Sequence, residues 1–325
     1  MKFENLKKIV VFRALQIGDM LCTIPAIRAL HHAYPDAEIT LVGLPWSKML
    51  IERFPEYFHS VITFPGYPGL PEQTVNYAAF PNFLKKVQLQ NFDLALQMQG
   101  NGTVSNPLTD LFAAKNITGF YTKNNFCPDK DSFIEYPDTL HEIKRHLKLI
   151  ESIGITNFTA DLEFPITEKD IEDFEKAALP VKQNEYVVIH PGARGVERQW
   201  NTKNFAAIAD YFFEMDLKVV ITGTSDEIEI VENVTDQMKH KPINAAGKTS
   251  LGAVAVLIKN AAALVSNCTG VSHIAAALKT KSIVINLDGE AYRWSPLNKS
   301  LHKSIDWAAD TDLNIVRDAI KALLE

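Results

Sequence analysis

Short, unbroken apolar runs alternate along this chain with longer stretches whose apolar residues recur every three or four positions. Ile9-Val10-Val11-Phe12 is of the first kind, the pattern of a strand buried on both faces. In residues 21–34 the apolar positions Ile24, Ile27, Ala29 and Leu30 share related faces of a helix. Strands are expected next over 36–43 and 60–64, then a helix over 83–90, a strand over 92–96, a helix over 104–114 and a strongly periodic helix over 140–154. Gly154 suits the C-cap of that last helix, because it takes a left-handed backbone without a Cβ clash. Residues 155–184 hold an acidic helix over 168–178 and little strand character, and read as a crossover. A second series opens with Tyr186-Val187-Val188-Ile189. It continues with a helix over 203–215, a strand over 217–221, helices over 226–240 and 251–260, a strand over 261–265, a turn leading into a helix, and a strand over 282–286.

Strand and helix alternating twice over predict an α/β protein of two doubly wound parallel sheets, each Rossmann-like, facing each other across a cleft. The boundary is expected between 165 and 166, and a chain of 325 residues has room for two such domains of about 150 residues each. Open sheets of this kind collect ligand groups at the carboxyl ends of their strands. At the end of the first strand stands Arg13-Ala14-Leu15-Gln16-Ile17-Gly18-Asp19, read as a loop. Its single glycine is not the G-x-G-x-x-G of a dinucleotide site, so no nicotinamide or flavin cofactor is expected. Residues 65–81, rich in Pro, Gly and aromatic residues without a sustained period, read as a long loop: a lid or binding loop, or a solvated excursion.

Composition narrows the partners. Hydrophobic content of 46% and charged content of 22% are those of a globular protein. Residues 1–160 are balanced at 15 basic and 15 acidic side chains, while residues 161–325 carry 18 and 24, which yields the net charge of −6. Nucleic acid is not expected as the main partner, since a phosphate backbone demands a basic face. Cys22, Cys127 and Cys268 are widely spaced with no C-x-x-C pair, so neither a disulfide framework nor a zinc site is expected. Arg13, Gln16 and Asp19 interrupt the N-terminal apolar run too soon for a signal peptide. No segment approaches the ~18 apolar residues of a membrane span. A cytoplasmic protein is expected, free to touch the inner face of the membrane as a peripheral partner.

Candidate chemistry gathers in the second series. After the run 261–265 comes Ser266-Asn267-Cys268-Thr269-Gly270-Val271-Ser272-His273, and then the Ala-rich start of a helix. Thr269 suits an N-cap, and Gly270 lets a ligand approach the backbone. The N–H groups of a helix start lack intrahelical partners and sit at the positive end of the dipole, so this turn can hold a phosphate or diphosphate. Taken alone, it could equally be an ordinary strand-to-helix turn. The first strand of the series runs into His190-Pro191-Gly192-Ala193-Arg194-Gly195-Val196-Glu197-Arg198-Gln199-Trp200, where a glycine turn precedes a guanidinium whose fork matches phosphate oxygens. Gly223-Thr224-Ser225-Asp226-Glu227 and Ala246-Gly247-Lys248-Thr249-Ser250 follow in the same order along the chain.

With these stretches, together with Gln16-Ile17-Gly18-Asp19-Met20-Leu21, Ile24-Pro25-Ala26 and Tyr34-Pro35-Asp36-Ala37-Glu38-Ile39, the sequence resembles glycosyltransferase family nine, the ADP-heptose:lipopolysaccharide heptosyltransferases. The resemblance covers nearly the whole chain. It implies a GT-B fold, with the nucleotide-sugar donor, ADP-heptose, bound mainly by the second domain and a glycolipid or glycan acceptor by the first. It also implies inversion at the anomeric carbon, with no metal and no cofactor. Carried over by position, the catalytic base falls on Asp19, beside Gly18, and the diphosphate-binding cation on Arg198, where many members have lysine. Donor contacts fall on Gly18, Gly192, Thr224, Asp226, Glu227, Cys268, Thr269, Gly270, Val271 and His273, with Asp226 and Glu227 toward the ribose.

The physical reading agrees with this. A carboxylate can take the proton of an attacking hydroxyl, and Arg198 with the amides of Gly270 and Val271 can stabilise a leaving diphosphate. Asp19 as an N-cap, His273 as a core histidine, Asp226 and Glu227 as residues of a helix start, and Arg293 as either a closing-loop or a surface residue are the rival accounts. The sequence departs from the family at Cys268, where an aspartate commonly stands; a thiol is a weak acceptor, which puts the sugar in question more than the reaction. Two alternatives remain in view: a sugar-nucleotide epimerase of the same architecture, and a non-catalytic nucleotide-sugar-binding member of a glycan-assembly complex.

Overall fold

A computed structural model describes residues 2–325. The chain divides into two compact units, Met1–Asp161 and Leu162–Glu325, where the sequence pattern placed the boundary four residues later.

The first unit holds strands β1 (Lys8–Phe12), β2 (Glu38–Gly43), β3 (Ser60–Thr63), β4 (Leu94–Gln97), β5 (Asn116–Tyr121) and β6 (Phe133–Glu135), joined by helices α1 (Ile17–Leu21), α2 (Ile24–Ala33), α3 (Met49–Arg53), α4 (Phe80–Gln88), α5 (Ser105–Asp110) and α6 (Glu142–Ser152). All its strands pair in parallel, in the order β3-β2-β1-β4-β5-β6. In the second unit the strands are β7 (Tyr186–His190), β8 (Lys218–Ile221), β9 (Ile243–Asn244), β10 (Ala263–Asn267), β11 (Ser282–Asn286) and β12 (His302–Asp306). Its helices are α7 (Glu168–Lys176), α8 (Thr202–Glu214), α9 (Ile228–Thr235), α10 (Leu251–Lys259), α11 (Gly270–Ala277), α12 (Ala291–Trp294) and α13 (Leu313–Leu324). Read from β9, the second sheet runs β9-β8-β7-β10-β11-β12, the same order as the first. Each sheet therefore reverses direction of winding beside its first strand, at β1/β4 and at β7/β10, which is where open α/β sheets bind ligands.

The predicted strands are the central ones, where side chains must be apolar on both faces: Ile9 to Phe12 and Tyr186 to Ile189 are fully buried. Phe12 packs edge-on against Phe64 and Phe112, with ring centroids 5.2 and 5.7 Å apart, and Phe83 closes the same aromatic cluster. In the second unit Trp200 is the centre of an aromatic group, edge-on to Phe205 and Trp307 at 5.0 and 4.9 Å. β5, β6, β9 and β12, and helices α3, α12 and α13, escaped the sequence pattern. All four strands lie at or beside a sheet edge in short or half-polar segments, such as Asn116-Ile117-Thr118-Gly119-Phe120-Tyr121, which lack the continuous apolar signal.

The stretch 65–81 folds back onto the first unit. The Asn76 N–H donates to the Pro65 carbonyl at 2.8 Å, Gln73 Nε2 donates to the Phe64 carbonyl at 3.0 Å, and Tyr67 and Leu70 pack against the core.

Candidate functional site

In the first unit the segment expected as a loop is a short helix. Asp19 is the third residue of α1, half-buried, with Gly18 buried before it. The N-cap position belongs to Gln16, so Asp19 is not an N-cap; it lies in the first turn, where a carboxylate complements the helix dipole. α1 follows β1 directly and so stands at the carboxyl edge of the sheet. Gln16 Nε2 donates to Glu72 Oε2 at 3.3 Å, which brings the 65–81 segment to the same edge.

Behind α1 lies a buried group of charges. Arg13, only 1% exposed, donates to the carbonyls of Asp19 (3.2 Å from Nε, 3.1 Å from one terminal nitrogen) and Met98 (2.5 Å), and to Glu142 Oε1 (3.0 Å). Glu142 also pairs with Arg145 and with His146, whose Nε2 is 3.1 Å away. Burial above all, with Arg13 next, pushes the His146 imidazole down to about 4, so it is neutral at physiological pH. On the opposite edge, at the amino ends of β1 to β3, a cavity of about 290 Å³ is lined by Lys8, Glu38, His59, Ser60 and Lys86 among others. It lies away from the strand ends where this architecture concentrates chemistry.

The second unit builds its carboxyl edge from loops. Asn267, completely buried as the last residue of β10, accepts from the Trp200 N–H at 2.9 Å and donates to the carbonyls of Pro191 (2.7 Å) and Gly192 (3.3 Å). One side chain thus ties the loop after β7 to the end of β10 and satisfies backbone groups that would otherwise be orphaned inside. The Glu227 carboxylate closes over Gly192: a Cβ there would lie 2.0 Å from Glu227 Oε1, so a larger residue would have to push that side chain aside. Glu227 in turn accepts from the Thr224 N–H (2.8 Å) and hydroxyl (3.1 Å) in a capping box, and its Oε2 is 3.7 Å from His190 Nε2. Burial pushes the His190 imidazole below its ordinary value while the Glu227 carboxylate pulls it upward. The expected helix over 226–240 is a 3₁₀ turn at Ser225–Glu227 followed by α9, and Asp226 is exposed in that turn.

Arg198 ends a second 3₁₀ turn and forms a 3.0 Å ion pair with Asp288, in the Asp288-Gly289-Glu290 turn after β11. Asp288, Arg198 and Glu290 all act on the Cys268 thiol. Burial is the main cause that pushes it up to about 12; Asp288 and Glu290 push the same way and Arg198 opposes them. The thiol is therefore uncharged at neutral pH. Thr269 is the N-cap of α11, but its side chain makes no capping bond, and the N–H groups of the first turn, Gly270 and Val271 among them, have no intrahelical acceptor. Ser272 spends its hydroxyl and N–H on the Thr269 carbonyl, at 2.7 and 3.0 Å.

His273 is buried, edge-on to Trp294 at 6.3 Å; Trp294 Nε1 donates to Glu290 at 2.9 Å, and the Arg293 guanidinium stacks on the Trp294 ring at 4.5 Å. Lys248 Nζ donates to the Asn244 carbonyl at 2.8 Å and orders its own loop. Among the described residues no three His, Cys, Asp or Glu side chains gather as a metal cage, and no helix is long and apolar enough to cross a membrane.

Asn267, Asp288 and Glu290 in this unit, and Arg13 and Glu142 in the other, were not among the expected site residues. The available signals were local. A polar residue closes a buried strand at Asn267, an Asp-Gly turn follows one at Asp288, and a charge follows one at Arg13.

Comparison with known proteins identifies the fold and the family. The chain is 27% identical over 291 residues to lipopolysaccharide heptosyltransferase 3 of Escherichia coli K12, covering 87% of this chain and 83% of that protein. A crystal structure of a family 9 glycosyl transferase from Veillonella parvula superposes with a TM-score of 0.83 at 21% identity, covering 100% of this chain and 99% of the other. E. coli ADP-heptose lps heptosyltransferase II superposes with a TM-score of 0.77, also at 21% identity, covering 98% of each. The fold is therefore GT-B. The model of Glycosyltransferase family 9 (heptosyltransferase) matches residues 81–311, so the chain, a glycosyltransferase, belongs to that family.

Proposed function

We propose that the protein transfers a heptose from ADP-heptose to a lipopolysaccharide-core or related glycan acceptor, with inversion at the anomeric carbon and without a metal ion. The observation that carries this reading is the meeting of Arg198, Cys268 and the uncapped start of α11 at the carboxyl edge of the second sheet. A nucleoside diphosphate fits there, because a forked cation and orphan helix-start amides match its oxygens. As the bond from the anomeric carbon to the leaving oxygen breaks, negative charge grows on the diphosphate, and the same groups stabilise it. The acceptor hydroxyl attacks the opposite face of the sugar and loses its proton to Asp19. Glu290 and Glu227 place carboxylates along this edge as acceptors for sugar and ribose hydroxyls, while Asp288 holds Arg198 until a diphosphate takes its place. The neutral Cys268 thiol serves as a wall there and not as a nucleophile. The acceptor of such a reaction is membrane-held, so the protein works on the cytoplasmic membrane face as a peripheral partner.

The test is ADP release from ADP-heptose with and without purified core glycolipid, followed by NMR of the product anomer. Acceptor-dependent ADP release that persists in EDTA, with an inverted linkage, is expected. Turnover of the sugar nucleotide without acceptor, leaving the nucleotide attached, would indicate an epimerase instead. ADP-heptose binding without any turnover would indicate a binding module.

A further inference from the structure

The carbonyl of Asp19 is outside the helix ladder. At the end of α1 the Thr23 N–H bonds the Met20 carbonyl at 2.9 Å, and the Asp19 carbonyl receives side-chain donors instead: the Thr23 hydroxyl at 2.9 Å and two nitrogens of Arg13 at 3.1 and 3.2 Å. A helix of five residues has too few internal bonds to set its own direction. What sets it here is the guanidinium. Arg13 reaches the end of β4 through Met98, the start of α1 through Asp19 and the first turn of α6 through Glu142, and a planar fork with donors in fixed directions makes these three elements mutually rigid.

The rest of the cluster holds that fork. Arg145, 1% exposed, donates to Glu142, to the Tyr136 hydroxyl at 2.7 Å and to the carbonyls of Pro137, Asp138 and Leu140, and its guanidinium lies 4.3 Å over the Tyr136 ring. His146 is neutral, and main-chain carbonyls accept from both arginines alongside their ion pairs with Glu142. Replacing a buried ion cluster by apolar side chains of similar volume is often neutral or stabilising. Simple packing gives no reason for the arrangement, whereas fixing the backbone beside a reacting carboxylate does.

We propose that Arg13 is a positioning residue for Asp19, aiming its carboxylate through the grip on its own main-chain carbonyl, with Glu142 and Arg145 as the buried brace. The inference rests on Asp19 being the base. Arg13→Lys keeps the positive charge against Glu142 but replaces the fork by a single point, so it cannot hold three elements at once.

The experiment measures kcat, donor KM, ADP affinity and thermal midpoint for Arg13→Lys, Asp19→Asn and the double variant. For Arg13→Lys, kcat is expected to fall about 10- to 100-fold, the cost of a small misplacement of a reacting group, with donor KM and ADP affinity unchanged. The double variant is expected to be no slower than Asp19→Asn alone, because residues acting as a unit are not additive. Rate losses that multiply in the double variant would show a general structural role and overturn the inference. So would a folded Arg13→Lys enzyme with wild-type kcat. If Asp19→Asn is slow and Arg13→Lys is not, positioning falls and the base stands; if Asp19→Asn turns over normally, the base falls and positioning with it. Should Arg13→Lys not fold, Glu142→Gln gives the second route. It leaves Arg13 in place with a weaker brace, and is expected to lower kcat about 3- to 10-fold with donor KM unchanged; unchanged kcat there would overturn the inference equally.

Discussion

The two sheets share one strand order, yet their carboxyl edges are shaped by opposite means. In the first unit the edge is held from behind by buried ions: Arg13, Glu142 and Arg145 are each no more than 3% exposed, and they fix a short helix that presents one half-buried carboxylate. In the second unit the clasp is neutral. Asn267 joins two loops through backbone groups, and the charged side chains, Arg198 with Asp288 and Glu227 with its capping box, lie in front where solvent or ligand can reach them. The difference fits the two jobs proposed. A base must be held at a fixed angle and distance, which rigid buried contacts provide. A polyanionic leaving group calls for accessible cations and amides, and for glycines that let it close on the backbone.

The comparison breaks most visibly at Asp19. Asp19→Asn preserves shape and polarity but removes the proton acceptor, so the transfer rate should fall about 10²- to 10⁴-fold while ADP affinity and thermal midpoint persist. Near-wild-type turnover would mean that the first edge only binds.

Acid should strain both units through their buried histidines. His146 in the first and His302 in the second are each held near 4 against an ordinary 6.5, mainly by burial. The folded pKa lies below the unfolded one, so above 6.5 the neutral rings cost nothing; as pH falls from 6.5 toward 4 the unfolded chain takes up protons that the folded chain refuses. Stability should drop over that window by up to about 3 kcal/mol per histidine. Urea unfolding across it, with His146→Gln and His302→Gln losing their respective shares, would show which unit yields first. A flat profile would show that neither ring stays neutral.

The exposed pair in the second unit can be sharpened by opposite substitutions. Arg198→Ala should weaken ADP binding by about 1.5–3 kcal/mol, as loss of a charge-assisted bond does. Asp288→Asn should strengthen it, because the carboxylate competes with the diphosphate for the same guanidinium. Calorimetry showing that both variants weaken ADP would make Asp288 a brace for Arg198 and bring the two edges closer in design. The smallest effect is expected at Cys268. With its thiol pushed up to about 12, Cys268→Ser should keep measurable transfer, and alkylation of the wild type at pH 7 should be slow. A trapped glycosyl-thioether would overturn that.

The central strands were legible in the sequence because burial on both faces leaves an unbroken apolar run, as in Ile9 to Phe12 and Tyr186 to Ile189. Gly192 and Thr269 were legible as well, since a glycine turn after a buried strand and an N-cap before an Ala-rich run are local signatures. The half-polar strands Asn116–Tyr121 and Phe133–Glu135 were not, because their place is set by the neighbour they pair with.

Local chemistry and spacing were enough to give the alternating α/β order and the residue types of both edges. The resemblance to the family marked the thiol at 268 as a departure. Only the tertiary structure decided that Asp19 stands on a helix held by an arginine six positions earlier and a glutamate 129 positions beyond that arginine. The partnership of Arg198 with Asp288, and the closing of Asn267 on Pro191, Gly192 and Trp200, were decided there too. Apart from the grip of Arg13 on Asp19, these pairings join residues far apart in the chain, and no periodicity encodes them. They exist because folding brings strand ends together and then requires every buried charge and backbone group at that edge to find a partner.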